Sequence, residues 1–381
     1  MSITINLLVL GFFKYSNFFI ESSAALLSTF GITPATWTLN VILPVGLSFY
    51  TFQSMSYAID CYRKKMNAEK SFLDYATYVS FFPMLVAGPI VRAYDFLPQL
   101  KTPRFVTTDD YQEGAYRIAI GLFKKLVAAT FFSTQSDRLF NLPVEQLSSV
   151  QVAVAAMCFG IQIYLDFSAY SDIAIGTARI FGFRILENFN FPYASRSLKE
   201  FWLRWHISLS SWLRDYLYIS MGGNRRGRNR KNLNAMLTML LGGLWHGANG
   251  TFLIWGWLHG TYLWLSDRFS PRIKIPGWIS VLLVFFLVSF SWIAFRAQNT
   301  SAALAMYQIL FTVHRMPSRE EVALLLLCLV TGPVFHAFAS RLDLDIKIQT
   351  LCKNKALFYI TVACAIYFLR GENFEFIYFQ F

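Results

Sequence analysis

Residues 233–265 read LNAMLTMLLGGLWHGANGTFLIWGWLHGTYLWL, a stretch without a single Asp, Glu, Lys or Arg. A helix needs about 20 mostly apolar residues to cross the hydrocarbon core of a bilayer. The stretch exceeds that length and is expected to lie in a membrane. On its N-terminal side stands a basic block, Asn224-Arg225-Arg226-Gly227-Arg228-Asn229-Arg230-Lys231. Short loops rich in Lys and Arg stay in the cytoplasm, so this block is expected at the cytoplasmic end, close to membrane lipids. Arg63-Lys64-Lys65 with Lys70 forms a second block. The net charge of +12 is thus local. Between apolar segments an Arg-rich octamer reads as a topology signal, and no nucleic-acid partner is expected.

The rest of the chain has the same character. Of its 381 residues 55% are hydrophobic, 18% aromatic and 15% charged, whereas soluble domains are about 25% charged. Mean hydropathy is +0.42. A soluble all-α protein could not hide that much apolar surface, so a bilayer is the expected solvent. Further segments are expected near 39–60, 71–90, 111–133, 149–180, 278–296, 321–340 and 356–370. Ile3 to Phe30 is apolar but broken by Lys14 and Glu21, so it reads as one tilted span or two partial ones. About eight to ten membrane segments result. Gly, Pro or charge interrupts several, which is tolerated inside a bundle or along a cavity but not against lipid. The fold class is therefore an all-α polytopic membrane protein with an internal chamber or pathway, in one domain over 1–381. The N-terminus lacks the features of a cleaved secretory signal. Five cysteines lie scattered without metal spacing, so neither a disulfide framework nor a metal site is expected.

Polar groups accumulate between 198 and 260. Ser197 to Ile219 reads SLKEFWLRWHISLSSWLRDYLYI. It is too polar for a lipid-facing span and too aromatic for an ordinary loop, so an interfacial or re-entrant segment is expected. Beyond the basic block comes Gly242-Gly243-Leu244-Trp245-His246-Gly247-Ala248-Asn249. An ionisable residue inside a span is a functional candidate by default. An imidazole can take the proton of a hydroxyl as its oxygen attacks an acyl carbon. On a continuous helix Asn249 would lie near the same face, to orient His246 or to donate to an oxyanion. A structural hydrogen-bonding role for His246 stays open beside the catalytic one. On that helix His259 would sit about 220° further round, which excludes a His–His metal pair. His206 could meet His246 only by folding back. His314 falls in a short loop, and His336 reads as interhelical or interfacial. Asp166 and Asp172 are expected to pair with Arg or to bond neighbouring helices, with a proton pathway as the alternative.

Several stretches together resemble the membrane-bound O-acyltransferase (MBOAT) family, most closely its alginate O-acetyltransferase membrane-protein branch. They are PVGLSFYTFQ at 44–53, FFPMLVAGPIVR at 81–92 and YLDFSAYSDIAIG at 164–176. They continue with NFNFPYASRSLKEFWLRWHISLSSWLRDYLYI at 188–219 and GGNRRG at 222–227. GGLWHGANGTFLIWGWLHG at 242–260 and FIYFQF at 376–381 complete the set. The chain departs from the branch at Gly250, where a Trp is common, and at Ser220, where a Pro often stands. The family usually carries more apolar sequence before the equivalent of Asn6, so the resemblance implies a chain lacking the first N-terminal helices.

The resemblance implies a ring of transmembrane and re-entrant helices around a central tunnel, in a bacterial inner (plasma) membrane. It implies that His246 is the essential histidine and His206 the second histidine of the branch. It implies a co-substrate, acetyl-CoA or another acetyl thioester, used from the cytoplasm without a bound cofactor; no cofactor-binding residue is legible. The product would be O-acetylation of an extracytoplasmic polysaccharide, an alginate-like exopolysaccharide or a cell-wall glycan, through a periplasmic or extracellular acetyltransferase partner. Phe376 to Phe381 fits Phe-x-Tyr-x-x-Phe, the tail motif of related envelope acylation systems, which marks Tyr378 as a transient acyl acceptor. A phenol is a better leaving group than a sugar hydroxyl; an aromatic interfacial anchor is the other reading. Transfer of another acyl group such as D-alanine, acylation of a protein, and a non-catalytic transporter or export scaffold remain alternatives.

Overall fold

The fold is that of a computed structural model, which describes residues 1–32, 44, 46–86, 88–269, 275–312, 316–342 and 355–371. Among these residues every regular element is a helix. Among the described residues four helical stretches are long and apolar enough to cross a membrane unaided: Ser2–Thr29, Ser149–Ile180, Gly277–Arg296 and Arg319–Leu342. Other apolar stretches among the described residues form shorter or interrupted helices.

Ser149–Ile180 is the central helix. A capping box starts it, with the Gln151 amide donating to Ser148 Oγ (3.3 Å) and the Ser148 amide to Gln151 Oε1 (3.0 Å). Most of its apolar length is buried, which explains why it is apolar all round and not striped. The main core gathers on it, with Phe159, Tyr193, Trp205, Phe285 and Trp292 among the best-buried side chains.

Thr108–Phe123 packs along the central helix. Gly114 and Gly176 face each other there: a Cβ on either would meet the other's carbonyl oxygen at 2.7 or 2.6 Å. Small residues let helix backbones approach where lipid supplies no hydrophobic drive. The helix continues through a π turn, Lys124–Ala129, to Phe140. Thr130 Oγ1 donates to the Lys125 carbonyl (3.0 Å), supplying a local partner for a carbonyl at the turn. Both lysines reach acids of the central helix: Lys124 to Asp172 (2.7 Å) and Lys125 to Asp166 (2.5 Å). Arg117 adds to Asp172 at 3.4 Å. Asp166 and Asp172 thus lie in ion pairs, chiefly with lysines.

Two expectations are corrected and one open alternative is resolved. The apolar stretch 71–90 is not one span but two short helices, Phe72–Ser80 and Phe82–Leu85, meeting at extended Phe81. Pro83, at the start of the second, has no N–H to continue the first. The stretch 233–265 is a helical hairpin, Gly227–His246 and Gly250–Phe269, because Gly247 is extended and ends the first arm. The stretch from Ile3 to Phe30 is one helix. In the segment 319–342 a π turn, Val330–Val334, accommodates Pro333.

Candidate active site

The hairpin places His246. Gly256 abuts the other arm so closely that a Cβ there would meet the Met239 carbonyl oxygen at 2.5 Å. With the arms in contact, Trp255 of the second packs edge-on against His246 of the first, centroids 5.4 Å apart. Phe295 (5.0 Å) and Trp245 (4.9 Å) complete an aromatic enclosure. Because the helix ends at His246, the expected helical relation to Asn249 does not exist. Asn249 Oδ1 instead accepts the Thr251 amide (3.1 Å) and caps the second arm. The angular argument about His259 fails for the same reason: the two histidines sit on different helices, both against Trp255.

The carbonyls at the end of the His246 helix have no successor to bond them. Two are met from the first helix. Lys14 Nζ donates to the Trp245 carbonyl (2.5 Å) and Tyr15 Oη to the Leu244 carbonyl (2.7 Å). Lys14 also lies 5.6 Å from the Trp245 ring centroid. A cation at a helix C-terminus is favoured by the helix dipole, and an unmet carbonyl at membrane depth costs several kcal/mol. Sequence reasoning treated Lys14 only as an interruption of a span; its place in an apolar stretch was the available signal.

His206 comes from a separate segment. Ser197 Oγ caps Leu198–Arg204 by accepting the Glu200 amide (3.1 Å). The chain then turns at His206 (φ 41°, ψ 56°) into Ile207–Trp212. Left-handed backbone at a non-glycine residue is strained. Phe201, Trp205, His206 and Trp212 are buried, so this aromatic face of the segment packs inside the protein. It folds back as required: His206 and His246 both face Trp245, at 6.4 and 4.9 Å between ring centroids.

His259 and His336 do structural work. His259 Nε2 donates to Ser291 Oγ (2.9 Å), whose own proton goes to the Val288 carbonyl (2.7 Å). His336 Nδ1 accepts the Tyr193 amide (3.1 Å) and so lies between elements. His314 and Tyr378 lie outside the described residues. Among the described residues no cluster of three or more His, Cys, Asp or Glu could hold a metal ion.

A cavity of about 740 Å³ leads to His246. Lys231, Ala235, Thr238, Met239, Gly242 and His246 line it as one stripe of the first arm. At 1.5 Å per residue the stripe runs about 22 Å, from the basic block to the imidazole. Lys199, Arg214 and Asn224 also line it. Asp267 bonds Lys231 and Arg228 at the basic end.

Fold and site define a polytopic helical membrane protein with a cavity lined in part by a histidine. The profile of MBOAT, the membrane-bound O-acyltransferase family, matches residues 4–306, and the chain belongs to that family. It is similar to a Pseudomonas aeruginosa protein named "Probable alginate O-acetylase AlgI", 43% identical over 316 residues, 82% of this chain and 60% of that one. It is 36% identical over 330 residues to the peptidoglycan O-acetyltransferase of Helicobacter pylori, covering 78% and 62%. Against the teichoic acid D-alanyltransferase of Bacillus subtilis it is 27% identical over 281 residues, covering 68% and 70%. The chain spans about three fifths of the length of the alginate relatives it matches.

Proposed function

We propose that this protein is a membrane O-acetyltransferase of the bacterial inner membrane. It takes acetyl from a cytoplasmic thioester, acetyl-CoA or an acetylated carrier, for O-acetylation of an extracytoplasmic polysaccharide. The observation that carries this reading is the cavity stripe from the basic block to His246. A thioester entering at the basic end can bring its acyl carbon to an imidazole deep in the protein. The similarity to an alginate O-acetylase and a peptidoglycan O-acetyltransferase supports acetyl as the group and a glycan as the acceptor.

In the proposed step the acyl carbon's bond to sulfur breaks as its bond to the acceptor oxygen forms. His246 takes the hydroxyl proton and returns it to the departing thiolate. His206 supports His246 across Trp245, and Asn249 caps the arm that presents Trp255. Tyr378 is the relay hydroxyl, from which a periplasmic or extracellular partner moves acetyl to sugar.

The test is ester-linked acetate on envelope and secreted glycans of the source cell. Unmodified protein, a deletion and His246→Ala are compared at matched membrane abundance. Loss in both mutants supports the transferase. Retention in His246→Ala, with loss in the deletion, replaces it with a scaffold or transport role. Ester-linked D-alanine in place of acetate would change the donor. A Tyr378→Phe protein that inserts normally yet loses ester acetate supports the relay, and full activity removes it.

A further inference from the structure

Asn188 is fully buried and sits at the junction of three segments. Its Oδ1 accepts the Ser208 amide (3.2 Å) and the Ser208 hydroxyl (2.9 Å), and its Nδ2 donates to Ser171 Oγ (3.2 Å). Its carbonyl accepts the Ile207 amide (2.8 Å). Side chain and backbone of one residue therefore clamp both sides of the strained His206 turn. Strained backbone persists only where its surroundings over-determine it.

The same oxygen lies 3.1 Å from His206 Nδ1. A backbone N–H can only donate, so the Asn188 atom facing the Ser208 amide is the oxygen and not the nitrogen. The Ser208 hydroxyl also lies 3.4 Å from His206 Nδ1, but it donates to the Asn188 oxygen at the shorter 2.9 Å, which leaves Nδ1 to donate to that oxygen and so to carry the proton. A neutral imidazole holds one ring proton, so Nε2 is left with a bare lone pair. That Nε2 is buried and has no hydrogen-bond partner among the described residues. Phe167 packs edge-on at 4.5 Å and Trp245 at 6.4 Å. Leaving a buried acceptor unmet is costly, a cost that an apolar side chain at 206 would avoid.

We infer that Asn188 is a positioning residue that locks His206 with its proton on Nδ1, holding Nε2 as a fixed hydrogen-bond acceptor on a ring that packs, like His246, against Trp245. Its consequence for transfer rests on the function proposed above: Nε2 receives a proton-bearing group of the reaction, and the wrong tautomer would present a donor instead.

The test is nitrogen NMR of the full chain, labelled with ¹⁵N-histidine, in lipid bilayers. His206→Gln identifies the His206 signals. The expected result is a protonated Nδ1 and an unprotonated Nε2 in the unmodified protein. Asn188→Ala should abolish that preference and lower glycan ester acetate about a hundredfold at matched membrane abundance. Ser208→Ala, which keeps the backbone donor, should retain the tautomer. A proton on Nε2 in the unmodified protein overturns the inference without any variant. So does an Asn188→Ala protein with unchanged tautomer and unchanged ester acetate. If the tautomer is as expected but the unmodified protein supports no ester acetate, the assignment stands and the proposed function falls.

Discussion

Two regions of this molecule bury polar groups among apolar helices, and they do so in opposite ways. Along the central helix each acid meets a cation: Asp166 meets Lys125, and Asp172 meets Lys124 and Arg117. Around the hairpin several ring nitrogens are left open. His206 Nε2, Trp245 Nε1 and Trp255 Nε1 have no hydrogen-bond partner among the described residues. A membrane interior penalises both arrangements unless something is gained. In the seam the gain is helix packing. At the hairpin nothing within the described protein meets these atoms, which suits a site completed by what it binds. Charge content alone would point to the seam as the functional centre; the unmet ring nitrogens gathered around Trp245 and Trp255 point to the hairpin.

The largest expected effect breaks the comparison at the hairpin. His246→Gln should lower glycan ester acetate by about 10² to 10⁴ while leaving the detergent-solubilised melting temperature unchanged. A fall in stability comparable to that of a seam variant would erase the distinction between the regions.

Next comes the seam. Lys125→Met leaves Asp166 buried without its cation, and breaking a buried pair costs about 3–5 kcal/mol. Folded yield and melting temperature should drop. Lys125→Met with Asp166→Leu should recover most of that loss, because no lone charge remains. If the double variant stays as unstable as the single one and also loses ester acetate, Asp166 belongs to a proton pathway after all.

Lys14→Met tests the link between first helix and hairpin. It removes the cation from the Trp245 carbonyl and should lower ester acetate about tenfold, through displacement of His246. Lys14→Arg should restore part of it. The smallest effect is expected from Tyr15→Phe, which deletes one hydrogen bond to Leu244 worth about 1 kcal/mol. A loss in Tyr15→Phe equal to that in Lys14→Met would mean that hydrogen bonding alone, and not the charge, holds the helix end.

Much of this was legible in the residues. The apolar runs located the central helix at 149–180 and the helix near 278–296 to within a residue or two. His246 stood out as an ionisable group in an uncharged stretch. The break at Gly247 was misread, because an apolar run does not reveal whether a helix continues or turns back. Periodicity then misplaced Asn249 and His259, whose positions depend on that turn. Asn188 carried no signal, since an Asn among aromatic residues suits a loop as well as a clamp.

The sequence by itself determined the solvent, the material of the helices and the histidine candidates. Transfer free energy and helix formation depend on each residue and its near neighbours, so composition and order suffice. Only the tertiary structure decided which groups meet. Lys14 reaches a carbonyl 231 residues away, and His206 faces the same indole as His246. Such meetings depend on how every helix packs against the others, which no local stretch contains.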